Sequence, residues 1–318
     1  MWKNILCVLV SCVNITLAFQ GRLFGVDTSS IRNTSFVQIL DNSPKYDRLL
    51  YLNRASFAGP ATAIRNIHNE TYSATYYTSD SFGVPHYFLF TIDVKKPLKL
   101  LNNVSINGPG YGSFWQIADD ETRLVGIRES AHSGATLEVA ALDQTTGRVN
   151  TIGLYPYGSY SLVMGFARQR RIYYNVIEAL FCGVNVDTGK LDVQIRMPND
   201  YAIYALIYDP TKDRLISLVY SGKIVDKAWF IASIIVDTSS ATLKFERIGN
   251  SVIPMDGNHF WSTTYTLAVK ERQWITLWST GNTADGKTLI TFDIDTGDIT
   301  HKQIINNSKY LNNLVYFD

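Results

Sequence analysis

Disulfide bonding is nearly excluded by the composition of this chain. Only three cysteines occur among its 318 residues, Cys7, Cys12 and Cys182, and the first two fall in a signal peptide predicted below. The mature chain would keep Cys182 alone, so burial of an apolar core must hold the fold together. Cys182 lies in the apolar run 180–184, which predicts a buried, unreactive thiol.

Helical periodicity and the common catalytic strings are missing as well. The sequence contains no His-Glu-x-x-His, no Gly-x-Ser-x-Gly, no phosphate-binding loop and no Cys-x-x-Cys. Residues 108–112, Gly-Pro-Gly-Tyr-Gly, match a nucleotide loop in composition only, because no helical pattern follows them. These absences favour a binding protein over an enzyme of a common catalytic class.

An excess of charge of either sign is lacking too. The chain has 29 basic and 28 acidic residues, and removal of a signal peptide that contains Lys3 would leave the mature chain neutral. Nucleic acids and anionic membranes attract proteins through basic surfaces. The balance therefore gives no reason to expect a nucleic-acid partner.

The N-terminus predicts secretion. Lys3 precedes an apolar stretch that ends near Leu17, and residues 16–18 offer a cleavage site, which is typical of a signal peptide over residues 1–18. An uncleaved anchor is the alternative, but the stretch is shorter than the ~20 residues of a membrane span. After cleavage we expect no membrane span. Four Asn-x-Ser/Thr sequons predict a secreted, extracellular glycoprotein modified at Asn33, Asn69, Asn103 and Asn306.

Short apolar strands repeat along the rest of the chain, and residues 201–250 show one full set of four, a to d. A turn that contains Asp follows each predicted strand c, because Asp closes an Asx turn and a following Gly accepts positive φ. On this reading the turns of six sheets contain Asp27, Asp93, Asp143, Asp187, Asp237 and Asp295.

A second signal shows which strand of each set is strand b, because an arginine stands at the start of each predicted strand b. The period is near 50 residues, which predicts a single all-β domain over 19–318, a six-bladed β-propeller of four-stranded antiparallel blades. The last blade would contain both termini, with 310–317 as strand a and 21–26 as a c-like strand; five blades are the alternative. The predicted arginines are Arg48, Arg123, Arg171, Arg214 and Arg272.

One spacing departs from the period. Residues from about 55 to 85 lengthen the interval between strand b at Arg48 and strand c at Asp93 by about 25 residues. We predict an insertion there. The b-to-c and d-to-a connections of a propeller emerge on one face, around the mouth of the central channel, so the insertion would overhang that mouth.

The blade motifs resemble those of a known superfamily. Asp209-Pro-x-x-x-Arg-Leu between strands a and b, and Val-Asp-Thr-Gly between strands c and d, are similar to repeats of YVTN-like and gluconolactonase-like β-propellers. The resemblance covers nearly the whole mature chain and concerns structural turns, so it implies the fold rather than an activity. The lactonase-like group would place a Glu, an Asn and an Asp around the channel, and no matched motif supplies them here.

Aromatic and amide residues recur in the predicted mouth connections. Ring faces cover apolar sugar surfaces and amides satisfy hydroxyls, so this composition suits a carbohydrate or an extracellular protein as the ligand. The competing interpretation is that these aromatics wedge between blades. The predicted ligand-binding residues are Tyr111, Trp115, Tyr160, Tyr201, His259, Trp261 and Asn312.

Acids and histidines in the same connections support a different hypothesis, a hydrolase or lactonase with a divalent metal in the central channel. A third possibility is a structural coat protein. The absent catalytic strings favour a non-catalytic binding propeller, with the catalytic residues of the alternative unassigned. The residues considered for metal or acid–base chemistry are His68, Glu70, Asp80, His86, Glu129, His132, Glu178, Asp256 and His259.

Overall fold

A computed structural model describes residues 21–28, 33–41, 43–53, 63–66, 70–95, 97–107, 114–130, 137–221, 228–254, 264–278, 286–308 and 311–317. These residues form strands and turns, with no helix among them. Within these ranges, no helix long and apolar enough to cross a membrane occurs.

The strands are arranged as six antiparallel blades, which confirms the predicted six-bladed propeller. We number the blades in chain order from the first complete one, so that the blade containing both termini is blade 6. The first strands of the chain are β1 (Arg22–Asp27), β2 (Asn33–Ile39) and β3 (Tyr46–Asn53) of blade 6; β4 (Ala63–Asn66), β5 (Thr71–Ser79), β6 (Pro85–Asp93) and β7 (Lys99–Ser105) of blade 1; and β8 (Phe114–Asp119), β9 (Leu124–Glu129), β10 (Leu137–Leu142) and β11 (Val149–Leu154) of blade 2.

The remaining blades repeat this plan, and blade 4 carries a short extra strand, β20, paired with the mouth end of its strand c. The strands are β12 (Tyr160–Ala167), β13 (Ile172–Ile177), β14 (Leu180–Asn185) and β15 (Leu191–Arg196) of blade 3; β16 (Tyr201–Asp209), β17 (Arg214–Ser221), β18 (Ala228–Asp237), β19 (Thr242–Arg247) and β20 (Ile253–Pro254) of blade 4; β21 (Thr264–Ala268), β22 (Gln273–Trp278), β23 (Gly286–Asp293) and β24 (Ile299–Asn306) of blade 5; and β25 (Leu311–Phe317), the inner strand of blade 6.

The two termini close the ring, as predicted. β25 pairs with β1, bringing Phe317 opposite Arg22, and Tyr316 opposite Leu23. Blade 6 is therefore built from one C-terminal and three N-terminal strands, so it leaves no free inner edge.

The predicted phase is correct in blades 2 to 5 and wrong in blade 6. The segment around Phe36 is strand c rather than strand a, and Arg48 lies on strand d rather than strand b. Asp27 ends strand b and is buried, so it does not occupy a c-to-d turn. Strands two apart in a blade run in the same direction and share their alternation, so the sequence pattern tolerates a shift of two strands.

This shift also produced the predicted insertion. Residues 63–66 and 71–79 of that stretch form β4 and β5, the first two strands of blade 1. The prediction of an insertion that overhangs the mouth is therefore wrong for these residues. The signal peptide at 1–18 lies outside the described residues and stays a prediction.

Apolar side chains fill the six junctions between neighbouring blades. Each junction contains one cluster of buried residues; the cluster between blades 2 and 3, for example, includes Val139, Tyr155, Tyr173 and Cys182. Strands alternate their side chains between two faces, so every blade contributes to two clusters. The ring is held by burial, and Cys182 is buried as predicted.

Ion pairs reinforce the face opposite the mouth, which we call the base. At the junction of blades 4 and 5, Arg272 donates to both oxygens of Asp209, at 2.7 Å each, and also to Asp295. At the junction of blades 2 and 3, Arg171 contacts one carboxylate oxygen of Asp120 at 3.0 Å and both oxygens of Asp187, at 2.9 and 2.8 Å. The repeated strand-b arginine thus joins neighbouring blades.

In the c-to-d turns of blades 3 and 5, one residue closes the turn and a different residue pairs with an arginine. The side chains of Asn185 and Asp293 accept hydrogen bonds from N–H groups of the turn. The carboxylates of Asp187 and Asp295 instead form ion pairs with the strand-b arginines. The prediction that Asp187 and Asp295 are merely turn residues is therefore incomplete. Asp93, Asp143 and Asp237 do accept turn N–H groups, as predicted.

Candidate functional site

The candidate site is the mouth end of the central channel. The six inner strands β25, β4, β8, β12, β16 and β21 contact one another in a closed ring. Among the described residues, the mouth is represented by the connections 80–84, 155–159, 178–179 and 197–200 together with the adjoining strand ends.

Bulges occur near the mouth end of inner strands. Pairing shifts between Phe114 and Gln116 on β8, and between Ile203 and Ala205 on β16, which leaves Trp115 and Tyr204 as extra residues. A bulge bends its strand and changes the direction of a side chain, and bulges are frequent beside binding sites. Both extra aromatic rings pack between blades: Tyr204 packs against the cluster of blades 4 and 5, where it meets Trp229 of its own blade with centroids 4.5 Å apart, and Trp115 packs against the cluster of blades 2 and 3.

A tyrosine lies across the channel. The Tyr265 hydroxyl donates to the Met164 carbonyl at 3.2 Å, and the Gln116 amide donates to the same oxygen at 3.1 Å. These residues come from blades 5, 3 and 2, and blades 5 and 3 are not neighbours. Burial raises the pKa of Tyr265 to about 12, so the phenol stays protonated at neutral pH. These three residues therefore form a polar floor inside the channel.

Buried polar groups surround this floor. Asn175 is fully buried on β13, and neither its amide nor the Tyr173 hydroxyl has a hydrogen-bond partner within the described ranges. Asn175 pairs across the strands with Cys182, whose pKa burial raises to about 11. The thiol is therefore protonated and unreactive at neutral pH.

Lys287 lies at the mouth end of blade 5 and faces blade 6. Only 2% of its surface is exposed, and its ammonium donates to the Leu311 carbonyl at 2.7 Å and to Asn312 Oδ1 at 3.2 Å. None of the described carboxylates forms an ion pair with it. Burial lowers the pKa of Lys287 to about 8. The ammonium is therefore bound by neutral oxygens alone among the described residues.

The structure places three of the predicted ligand-binding residues in detail. Asn312 accepts the Lys287 bond at the mouth, Tyr201 stacks on Phe245 with centroids 4.7 Å apart, and Trp115 is half-buried between blades. Tyr160 begins β12 opposite Ile177. The ligand-binding role of the whole set stays a prediction, with Tyr111, His259 and Trp261 outside the described residues.

The sequons are distributed over the outer strands. Asn103 is exposed on β7 and accepts the Tyr76 hydroxyl at 2.9 Å, and Asn306 is exposed at the end of β24. Asn33 begins β2, and Asn69 lies outside the described residues. Glycosylation stays a prediction at all four positions.

Two aromatic side chains stand out from the mouth. Phe82 and Tyr157 are 90% and 80% exposed, more than any other large apolar or tyrosine side chain reported as exposed in the described ranges. Phe82 is held at the tip of the hairpin between β5 and β6, where Asp80 Oδ1 accepts the N–H groups of Phe82 and Val84 at 2.8 and 2.9 Å. Tyr157 lies on the connection between β11 and β12.

Of the residues considered for metal chemistry, those of blade 1 lie at opposite ends of β5, and His68, His132, Asp256 and His259 lie outside the described residues. Asp80 and His86 are 3.4 Å from each other at the mouth end of β5, while Glu70 precedes the opposite end and contacts Arg22 at 3.5 Å. Nine strand residues, roughly 30 Å, separate these ends. Within the described ranges no group of three or more His, Cys, Asp or Glu side chains is arranged to hold a metal.

Comparison with known proteins adds information on the fold. The chain matches a periplasmic gluconolactonase from Pseudomonas aeruginosa with a TM-score of 0.53 and 10% identity, covering 94% of this chain and 99% of the other. It matches TolB from Acinetobacter baumannii at 0.53 and 9%, over 94% and 67%. A protein of unknown function from Bacteroides caccae scores 0.54 at 5%, over 94% and 99%.

The likeness is one of fold. At such identities the matches establish a β-propeller and carry no activity to this chain. No protein-family model and no curated relative matches the sequence.

Sequence reasoning missed Lys287, Tyr265 and Phe82. Lys287 shares its strand face with Leu289, so its alternation predicts an inward lysine once the strand is recognised. Phe82 sits in the turn sequence Asp-Ser-Phe-Gly, where Asp80 and Gly83 signal a tight turn and hence an exposed aromatic tip. Tyr265 gives no sequence signal, because its role depends on a residue two blades away.

Proposed function

We propose that this protein is a secreted, glycosylated binding propeller that takes an extracellular protein or a carbohydrate at its mouth. The main observation in support of this proposal is that Phe82 and Tyr157 are highly exposed on two separate mouth connections. Large aromatic side chains exposed in this way are typical of binding surfaces, where they supply most of the contact energy.

The hairpin tip of blade 1 is organised before binding. Besides the two bonds accepted by the Asp80 carboxylate, the Asp80 N–H donates to the Val84 carbonyl at 3.0 Å, and the Gly83 N–H donates to the Asp80 carbonyl at 3.1 Å. A side chain presented on a preformed turn loses little conformational entropy when it is buried by a partner. Phe82 is therefore the anchor that we assign to the mouth surface.

The test compares partner capture by wild type with capture by a Phe82→Asp, Tyr157→Ala double variant, using pull-downs from culture medium and glycan arrays. Leu100→Asp is the matched control, because Leu100 is 45% exposed on the outer strand β7, near its base end. We expect the double variant to lose the partner that the control retains. Equal capture by all three proteins would overturn the proposal.

The same preparations separate binding from catalysis. Elemental analysis of protein purified without chelator, together with assays of lactone and ester hydrolysis, addresses the metal-dependent alternative. A stoichiometric divalent ion accompanied by turnover would replace the binding proposal with that of a hydrolase. Neither result depends on the mouth variants.

A further inference from the structure

A concave site lies at the outer rim of the ring, where the mouth end of outer strand β24 of blade 5 meets the start of outer strand β3 of blade 6. The cavity has a volume of about 300 Å³ and is lined by Lys45, Tyr46, Arg48, Asn306 and Asn307, which together we call the rim pocket. This volume is at the lower end of the range for small-molecule sites, about 300–1,000 Å³. A single sugar unit is a ligand of suitable size.

The rim pocket carries a net positive charge. Lys45 is exposed, and its ammonium forms no ion pair with any described residue. Arg48 is 48% exposed and contacts the carboxylate of Asp27, which is 1% exposed, at 3.0 Å. Asp27 thus balances one of the two cations. Asp47 is on the opposite face of β3 from Tyr46 and Arg48, so it does not line the pocket.

The neutral lining residues complement this charge. The Tyr46 hydroxyl donates to Asp27 at 2.9 Å and lies 3.1 Å from the Asn307 carbonyl, which fixes its ring at the pocket wall. The pKa of Tyr46 is raised to about 12 by burial and by Asp27, so the ring stays neutral. Asn306 and Asn307 add amide donors and acceptors. The face of the ring suits an apolar sugar surface, the two amides suit hydroxyls, and the surplus cation suits an acidic group. Together they are complementary to one acidic sugar.

We propose that the rim pocket binds an acidic sugar unit, with Lys45 and Arg48 holding its anionic group and the Asn306 and Asn307 amides contacting its hydroxyls. This site is independent of the mouth and of the function proposed for it. Asn306 is also a predicted glycosylation site, so a glycan attached there would lie at the pocket entrance.

The experiment measures binding of a heparin tetrasaccharide, with neutral maltotetraose as the comparison probe, to full-length wild type and to Lys45→Ala. Lys244→Ala is the matched control, because Lys244 is an exposed lysine on outer strand β19 of blade 4. Loss of one charge-assisted contact predicts about tenfold weaker tetrasaccharide binding by Lys45→Ala. We expect Lys244→Ala to match wild type, maltotetraose not to bind, and affinity to fall with added salt.

Two further variants make the result decisive. Asn306→Gln removes the sequon; tetrasaccharide binding by this variant alone would support the pocket and identify the attached glycan as its cover. The Phe82→Asp, Tyr157→Ala mouth variant should bind the tetrasaccharide as wild type does, so failure of the mouth proposal leaves this test intact. Equal binding with and without the Lys45→Ala change, measured in the Asn306→Gln background if wild type does not bind, would overturn the inference, as would no binding by both wild type and Asn306→Gln.

Discussion

Blade 5 holds a partly buried arginine at its base end and a buried lysine at its mouth end, and the two have opposite electrostatic surroundings. At the base, Arg272 contacts two carboxylates, those of Asp209 and Asp295. At the mouth, Lys287 contacts only the neutral oxygens of Leu311 and Asn312 among the described residues. Hydrogen bonds with its carboxylates raise the pKa of Arg272, whereas burial lowers that of Lys287.

The two cations are therefore expected to act on stability in opposite directions: Arg272 stabilises the fold, and Lys287 destabilises it. A buried cation with carboxylates and good geometry strengthens a junction, whereas one with neutral partners alone is poorly compensated for lost hydration. The charges of the base network are therefore expected to stabilise the fold, whereas the buried charge of Lys287 is expected to cost stability.

The largest effect that tests the comparison is expected from Arg272→Ala. It leaves Asp209, a carboxylate with no exposed surface, with Arg214 alone, so we expect a loss of about 4 kcal/mol in the free energy of unfolding. Chemical denaturation measures this loss. Arg196→Ala, on an exposed position of β15, should change stability by less than about 0.5 kcal/mol. A loss for Arg272→Ala as small as that of Arg196→Ala would contradict the stabilising role of the base network.

A second prediction concerns acid pH at the equivalent network of blades 2 and 3. Burial alone would raise the pKa of Asp120, but hydrogen bonds from Thr122, Arg123 and Arg171 outweigh it and lower the pKa to about 2. A depressed carboxylate pKa adds stability above the unfolded value near 4 and loses it as pH falls toward 2. We expect a contribution of about 2 kcal/mol at neutral pH.

Comparison of wild type with Asp120→Asn measures that contribution. The amide keeps an acceptor but no charge, so the variant should be less stable at pH 7, and the gap should close between pH 4 and pH 2. A gap of constant size across this range would show that the charge of Asp120 does not act.

The base was largely predictable from sequence, and the mouth was not. The arginine opening strand b and the Asp turns recur at a fixed period, so Arg123, Arg171, Arg214 and Arg272 were placed in the right strands. Arg48 was misplaced, because strands d and b share direction and alternation. A local pattern suffices where each blade repeats the same turn.

Contacts between distant blades carry no such pattern. Tyr265 reaches Met164 across the channel, a separation of 101 residues, and Lys287 is buried by a strand that begins 24 residues later. Neither residue belongs to a repeated position. The polar floor and the buried lysine therefore depend on ring closure, which brings blades together irrespective of their order along the chain.

At the mouth, removal of the buried cation is expected to raise the free energy of unfolding instead of lowering it. Lys287→Met keeps an unbranched side chain of similar length and removes the buried charge, so we expect a gain of about 2 kcal/mol at pH 7, reduced from the full linkage value by the two lost hydrogen bonds. Because the pKa of Lys287 is lowered to about 8, the charged form destabilises the fold below that pH. The advantage of the variant should shrink as pH rises from 8 toward 10.

Unfolding followed at several pH values checks this prediction. Lys302→Met is the control, since Lys302 is exposed on β24 and should show no pH-dependent gain. A loss of stability in Lys287→Met at pH 7 would mean that the ammonium is compensated after all, and the contrast between mouth and base would fail.

The smallest expected effect concerns the c-to-d turns of the base and tests whether all of them avoid backbone strain equally. Gly147, Gly189 and Gly297 take positive φ in the c-to-d turns, and a Cβ there would overlap a carbonyl of the preceding blade. In blade 4 the positive φ falls instead on Ala241, at 50°. Since a left-handed alanine costs about 1 kcal/mol, Ala241→Gly should raise the free energy of unfolding by about that amount.

Ala241→Ser is the matched control, because it retains a Cβ and should stay within about 0.5 kcal/mol of wild type. If Ala241→Gly were also neutral, the added freedom of glycine in the unfolded chain would have offset the relief of strain. A gain confined to Ala241→Gly would show that blade 4 departs from the glycine rule at a measurable cost. Its neighbours follow that rule because they have both a positive φ and an adjacent carbonyl to accommodate.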